Sequence, residues 1–338
     1  MSTRFSPQSR RPRRRLVAWA AVACLLLGAC SGGGAGSGRE GVRIGVNLWV
    51  GFDLLAVAED LGWFAEEGFD VEIVDLGTPA DCRAAFERGY VDGMATTLLD
   101  LIQTRSETDF DPVAVLITDY SDGADVVVAR RGITSIAGLA GARIAADGPL
   151  AMYLLTRMLS KEGMALGDVE LVWASQLDMP ALAWSGQIDA AVTFPPASTE
   201  LTRDLGYTTL FSSADIPGEV MDVVSFDAQF TRDHPEAVRA ILRVWDRVLG
   251  YLSEHPQETV AAIAAREGLD AAEVEEALAG VNLLTLDEQV ELFHNGVPAA
   301  TCLQAAEVLQ QAAVITETGT APGCASSEFI DGVLEVGE

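Results

Sequence analysis

Gly41-Val42-Arg43-Ile44 opens a stretch whose plan returns about 100 residues later as Gly141-Ala142-Arg143-Ile144. Each copy begins as a short strand and turns into a helix, over residues 53–66 in the first and 150–162 in the second. Gly68 and Gly163 close these helices, because glycine tolerates the left-handed conformation in which helices end. Second strands follow at residues 71–75 and 169–173, and second helices at residues 80–88 and 179–185. A third strand comes after Gly89-Tyr90-Val91-Asp92 in one copy and after Gly186-Gln187-Ile188-Asp189 in the other. This is βαβαβ twice, the pattern of parallel sheets covered by helices, so the fold class is α/β. Asp92 and Asp189 occupy matching turns and read as structural.

The rest of the chain is arranged around this repeat. Residues 113–118 and 125–130 are extended runs between the copies, and residues 221–226 form another after the second, the natural crossings between two lobes. From His234 onward the pattern is helical. Ile241, Val244, Trp245, Val248, Leu249 and Leu252 fall on one face, and these helices are expected to pack back on the first lobe. Trp63 and Phe64 end an amphipathic helix and read as core. The expected organisation is residues 41–128 as the first part of lobe 1, residues 129–218 as lobe 2, and residues 219–338 as the return to lobe 1.

Residues 1–29 read as a targeting signal: a basic cluster from Arg10 to Arg15, a short apolar run, then Gly28-Ala29-Cys30. The apolar run is shorter than the ~20 residues a membrane span needs. Leu27-Gly28-Ala29-Cys30 resembles a bacterial lipobox, which implies cleavage before Cys30, acylation of its thiol and anchoring to a membrane facing the periplasm or the cell exterior. An ordinary cleaved signal with an incidental cysteine is the alternative. Residues 30–40, rich in Gly and Ser, form a flexible tether. Export permits disulfides; Cys302 and Cys324 share one C-terminal region and are the candidate pair, while Cys82 reads as a small core residue. The net charge of −28 argues against nucleic acid, whose phosphates would be repelled. No Cys/His spacing suits a metal, and no cofactor is expected.

Parallel sheets bind ligands beyond the carboxyl ends of their strands, and two such lobes facing each other form a cleft. The loops on those edges supply candidate ligand contacts: Asn47, Trp49, Phe52, Thr78, Thr97, Asp119, Tyr120 and Asp122 from lobe 1, Asp147, Gln176 and Phe194 from lobe 2, with Asp222 at the margin. Thr97 is open to capping a helix, touching ligand, or both. Asp119 and Asp122 flank a turn before Gly123, where Asp also bonds its own backbone.

Trp49-x-Gly51, the run Leu61-Gly62-Trp63-Phe64-Ala65-Glu66-Glu67-Gly68, Gly89-x-x-Asp92, Ser121-x-Gly123-Ala124-Asp125 and Ile136-Ala137-Gly138-Leu139 stand in an order and spacing that resemble the nitrate/taurine/sulfonate-type substrate-binding proteins of ABC importers. That group includes binders of thiamine-pyrimidine precursors. The resemblance covers residues 41–315. It implies a two-lobed periplasmic-binding-protein fold of type II, a small-molecule ligand in the cleft, delivery to permease and ATPase subunits, a monomer, and no chemistry. A sensory lipoprotein and a thiamine-pyrimidine-synthase-like enzyme are the rivals. The sole lysine, Lys161, lies at a helix end away from the cleft, and no cysteine cluster accompanies it. The cleft loops contain several aspartates and no Lys or Arg. Such a site opposes an anion, so the expected cargo is a cationic or neutral nitrogen-containing solute, with the aromatic side chains as flat walls.

Overall fold

The computed structural model describes residues 40–319 and 321–334. The targeting segment, most of the tether and Cys30 lie outside the described residues. Along the chain run β1 (Glu40–Val46), α1 (Val50–Asp60), α2 (Trp63–Glu66), β2 (Phe69–Asp75), α3 (Pro79–Glu87), β3 (Gly93–Thr97), α4 (Leu98–Glu107) and β4 (Pro112–Ser121). The second copy follows as β5 (Val126–Ala129), β6 (Arg143–Ala146), α5 (Gly148–Lys161), β7 (Glu170–Trp173), α6 (Met179–Trp184), β8 (Ala190–Thr193), α7 (Ala197–Arg203) and β9 (Thr208–Ser212). Next come β10 (Met221–Asp227), α8 (Ala228–Asp233), α9 (Pro235–Glu254), α10 (Pro256–Glu267), α11 (Ala271–Ala279), β11 (Val281–Leu283), α12 (Leu286–His294), α13 (Val297–Gln311) and α14 (Glu328–Leu334).

The strands form two mixed sheets, ordered β11-β4-β10-β3-β1-β2 and β7-β6-β8-β5-β9. In each, the three strands of one βαβαβ copy run parallel, and the next strand, β10 or β5, joins antiparallel. The chain passes between sheets twice, after β4 and after β9; the first sheet is completed by β10 and β11 beyond the second crossing, while the second is built from the continuous run β5–β9.

The repeated Arg and Asp residues make the same clasp in both sheets. Asp92 Oδ2 accepts the Arg43 backbone N–H at 2.8 Å, and the Arg43 guanidinium reaches the Asp92 carboxylate and the Gly89 carbonyl. Asp189 Oδ2 accepts the Arg143 N–H at 3.0 Å, and the Arg143 guanidinium reaches Asp189 and the Gly186 carbonyl. The glycines end the preceding helices at φ of 69° and 68°, where a side chain would be strained. One carboxylate thereby ties the start of the first strand to the turn before the third, which fixes their register.

The first predicted helix is broken. Gly62 stands at φ 76°, so α1 ends at Asp60 and α2 restarts at Trp63. The break lets Trp63 and Phe64 enter the core as their apolar character requires. Along α9, Ile241, Val244, Trp245 and Val248 are buried, while Leu249 and Leu252 are half-buried at its edge. Each fully buried large apolar side chain contributes about 1.5–3 kcal/mol. The Trp245 indole donates to the Leu284 carbonyl at 2.9 Å, so its polar atom is not stranded. α9 and α10 pack on α1, whereas α13 lies against both α4 and α5 and so reaches beyond the first lobe. A disulfide joins Cys302 of α13 to Cys324, whose carbonyl accepts from the Ala114 N–H of β4 at 2.8 Å. Among the described residues, no helix is long and apolar enough to cross a membrane.

Candidate functional site

Two adjoining cavities lie between the sheets. The larger, of about 140 Å³, is walled on one side by the first turns of α3 and α4, with Pro79, Arg83, Asp100 and Gln103. On the other side stand Asp147, the start of α5, Gln176 and the end of β8 with Thr193 and Phe194. The smaller is lined by Asn47, Trp49, Phe52, Thr97 and Asp222 and shares Pro79, Asp125, Leu150 and Phe194 with its neighbour. Trp49 and Phe194 meet edge to face across the cleft, with ring centroids 5.5 Å apart. This geometry places the positive ring edge against a negative face.

The acids are held by local structure. Thr97 is the N-cap of α4: its hydroxyl accepts the Asp100 N–H at 3.2 Å and donates to Asp100 Oδ2 at 2.6 Å. Thr78 and Asp81 repeat the arrangement at α3. Asp147 stands at the N-cap of α5, and its Oδ2 accepts the Gln176 N–H at 3.3 Å. Helix N-termini attract anions, and these three ends already carry carboxylates of the chain itself. Asp125 caps the crossing after β4, its N–H donating to Ser121 Oγ at 3.2 Å.

Burial sets the electrostatics. It raises the Asp100 carboxyl to about 6, against the pull of the Thr97 hydroxyl and the Arg83 charge. It raises Asp125 to about 7, with the Ser121 hydroxyl opposing and Asp119 adding to the shift. Asp147 is raised by partial burial, and Asp222 is driven well above its ordinary range by burial and then by its acidic neighbours. Desolvation disfavours the charged form unless a cation or a donor compensates. Arg83, among the described residues the one base in the cavity wall, faces Glu87 at 3.4 Å and Glu107 at 3.2 Å.

Of the sequence-predicted contacts, Asn47, Trp49, Phe52, Thr97, Asp147, Gln176, Phe194 and Asp222 line the cavities. Four do not. Thr78 is spent on capping α3. Asp119 is fully buried behind Asp222, opposite it on the β4–β10 pair. Tyr120, the next residue along β4, points to the other face and packs on the core. Asp122 is exposed at the crossing and accepts from Asn282 Nδ2 at 3.2 Å. The expectation of a cleft without basic residues is corrected by Arg83. Asp100, Gln103 and Leu150 also line the cavities; they stand inside helices, beyond the strand-end loops that mark a cleft in sequence. Asp100 was legible in one respect: Thr followed three residues later by Asp is a capping pair, which turns the carboxyl toward the helix mouth.

Residues 51–259 match the family model described as NMT1/THI5 like. A protein of Brucella abortus named as a binding protein is 26% identical over 266 residues, covering 75% of this chain and 80% of that one. A Bacillus subtilis protein named for aliphatic-sulfonate binding is 23% identical and covers 79% and 82%. Among solved structures, the alkanesulfonate-binding protein SsuA from Xanthomonas axonopodis pv. citri, bound to MOPS, superposes with a TM-score of 0.70 at 18% identity, covering 85% of this chain and 98% of that one. The likeness establishes the two-lobed periplasmic-binding-protein fold. With the family model spanning most of the chain, from α1 into α10, this protein belongs to the NMT1/THI5-like family.

Proposed function

We propose that this protein is the exported solute-binding component of an ABC-type importer, tethered to its membrane through Cys30 and passing a small nitrogen-bearing cation or neutral donor to a permease. The fold and the relatives named as binding proteins support capture in the cleft. Capture without chemistry is further supported by Lys161, whose ammonium sits on the surface donating to the Asp215 carbonyl at 3.1 Å.

One observation carries the choice of cargo. Asp100, Asp125, Asp147 and Asp222 face the cavities, and the one base beside them among the described residues, Arg83, already has two glutamates as partners. A sulfonate entering there would meet like charge at each helix end, whereas a donor group meets acceptors. The Asn47 side-chain carbonyl, buried and lining the smaller cavity, accepts no hydrogen bond among the described residues. A buried acceptor without a partner is costly, and a ligand N–H offsets that cost.

Calorimetry against a panel of amines, guanidinium compounds, pyrimidines, taurine and nitrate tests this reading. Binding is expected among the nitrogenous donors; tight binding of taurine or nitrate with silence from every cation would reject it. Scattering with and without ligand tests closure, which should reduce the radius of gyration.

A further inference from the structure

We infer that the Asp119–Asp222 carboxyl pair is the element that reads positive charge in this cleft, sharing one proton while the cleft is empty and giving that proton to solvent when a cationic head group arrives. The inference rests on the cation reading above and adds how the charge is recognised.

Asp222 of β10 and Asp119 of β4 face each other directly in the strand register, with Thr97 of β3 on the other side of Asp222. Asp222 lines the smaller cavity and Asp119 stands behind it. Asp119 Oδ2 takes the Thr118 hydroxyl at 3.0 Å, while its Oδ1 meets no N–H or hydroxyl donor. The register makes the two carboxyls nearest cross-strand neighbours, and only a proton on one of the two acids makes their approach attractive. Behind Asp119 stands Gly51, where a Cβ would lie 2.5 Å from Asp119 Oδ2, so Asp119 has no room to withdraw from its neighbour on that side. The titratable groups bearing on Asp222 besides Asp119 are Asp125 at the crossing and Asp100 on α4, both acidic. The flanking Trp49 indole N–H favours an ionised Asp119 but reaches no acceptor in good geometry. Two buried like charges at contact cannot both persist, so one acid stays neutral.

A cation changes that balance. Its N–H groups replace the shared proton as the donor to Asp222, and the proton leaves for buffer. A neutral molecule of the same shape brings no charge to hold the second carboxylate ionised, so it binds without release. The pair thus discriminates by charge.

Two measurements on the mature protein test this. Infrared spectroscopy of the ligand-free protein at pH 7 should show protonated-carboxyl absorption that falls by one group in Asp222→Asn, with Asp53 and Asp125 supplying the absorption that remains; the amide introduced there can donate to Asp119 as the acid does, so the fold should persist, and Asp119→Asn serves as the second variant. Calorimetry then uses benzylammonium, with benzyl alcohol as the neutral control, in phosphate and in Tris. The expected result is release of about one proton per cation bound, an affinity for the cation rising up to about tenfold per pH unit below the titration of the pair, and no release with the alcohol. Release should vanish in Asp222→Asn. Cation binding with equal heats in both buffers, or release unchanged in both variants, overturns the inference and leaves the cation reading standing. Failure of benzylammonium to bind at pH 6 and pH 8 overturns the inference, and the wider panel then decides the cation reading.

Discussion

The two lobes repeat one construction and diverge at its working ends. At the amino ends of their first strands, Arg43 with Asp92 and Arg143 with Asp189 form the same clasp, down to the carbonyls of Gly89 and Gly186. At the carboxyl ends the copies part. Lobe 1 opens α1 with Val50-Gly51-Phe52-Asp53 and carries the buried acids Asp53, Asp119 and Asp222; lobe 2 opens α5 with Gly148-Pro149-Leu150-Ala151 and presents mainly apolar wall. The difference shows that register is a property both halves must keep, whereas the charge at the cleft is placed unequally, with Asp100 and Asp222 from lobe 1 and Asp147 from lobe 2.

Asp53 is the largest expected departure between the lobes, since Ala151 stands at the corresponding helix position. Burial, then the hydrogen bond and charge of Glu267, raise its carboxyl to about 9, although Arg266 Nε approaches at 3.0 Å. A folded-state pKa raised above the unfolded value means stability fully present below pH ~4 and lost as pH climbs through the folded value. Unfolding free energy should therefore fall by about 1.4 kcal/mol per pH unit across that window, before other groups contribute. Denaturant midpoints from pH 5 to 9 measure this, and Asp53→Asn should flatten the profile. An unchanged slope would show that Arg266 keeps Asp53 ionised.

The disulfide comes next. Cys302 and Cys324 are 22 residues apart and fix a helix that touches α4 and α5. Cys302→Ser is expected to lower stability by about 2–4 kcal/mol, read from denaturation under non-reducing conditions.

A third comparison uses the first residue of the third strand, Gly93 in lobe 1 and Ala190 in lobe 2. A Cβ at Gly93 would lie 2.4 Å from the Phe226 ring, which stacks on Phe230, so Gly93→Ala should cost about 1–3 kcal/mol. Ala190→Gly should cost no more than about 1 kcal/mol, through backbone entropy. Equal losses would mean that the Phe226 ring moves freely.

The clasps themselves give the smallest contrast. Asp189 answers Arg130 as well as Arg143 and is 15% exposed, against 29% for Asp92. Its guanidinium partners hold its carboxyl well below the usual range. Asp189→Ala should cost about 2 kcal/mol and Asp92→Ala about 1 kcal/mol by thermal unfolding, since each leaves a strand N–H unpaired.

Much of the fold was readable because its signals are local. Gly89 and Gly186 mark left-handed helix ends, and the Gly-x-Arg-Ile starts alternate buried and exposed positions, so the repeat and the order of elements followed from short windows of sequence. The break at Gly62 was not read, because a glycine inside an amphipathic pattern is tolerated unless packing forces the turn. The site was legible in its strand-end loops: Asn47, Trp49, Asp147 and Phe194 all reach the cavities. Tyr120 is turned away by strand alternation, which sends neighbouring residues to opposite faces once the register is set, while Asp122 lies past the end of β4, exposed at the crossing. Arg83 and Asp100 were missed because their positions depend on which helical turns face the opposite lobe.

The sequence alone determined two related α/β halves, the clasp residues, the core-facing stripe of α9 and an acidic cleft edge, since each depends on spacing between near neighbours. Only the tertiary structure decided that Asp119 and Asp222 meet, that α13 leans on both lobes, and that Arg83 enters the cavity already paired. Those contacts join residues tens to hundreds of positions apart. Backbone propensity carries no information about them; they follow from how the first sheet is completed by strands that return after the second lobe, and from how the C-terminal helices pack.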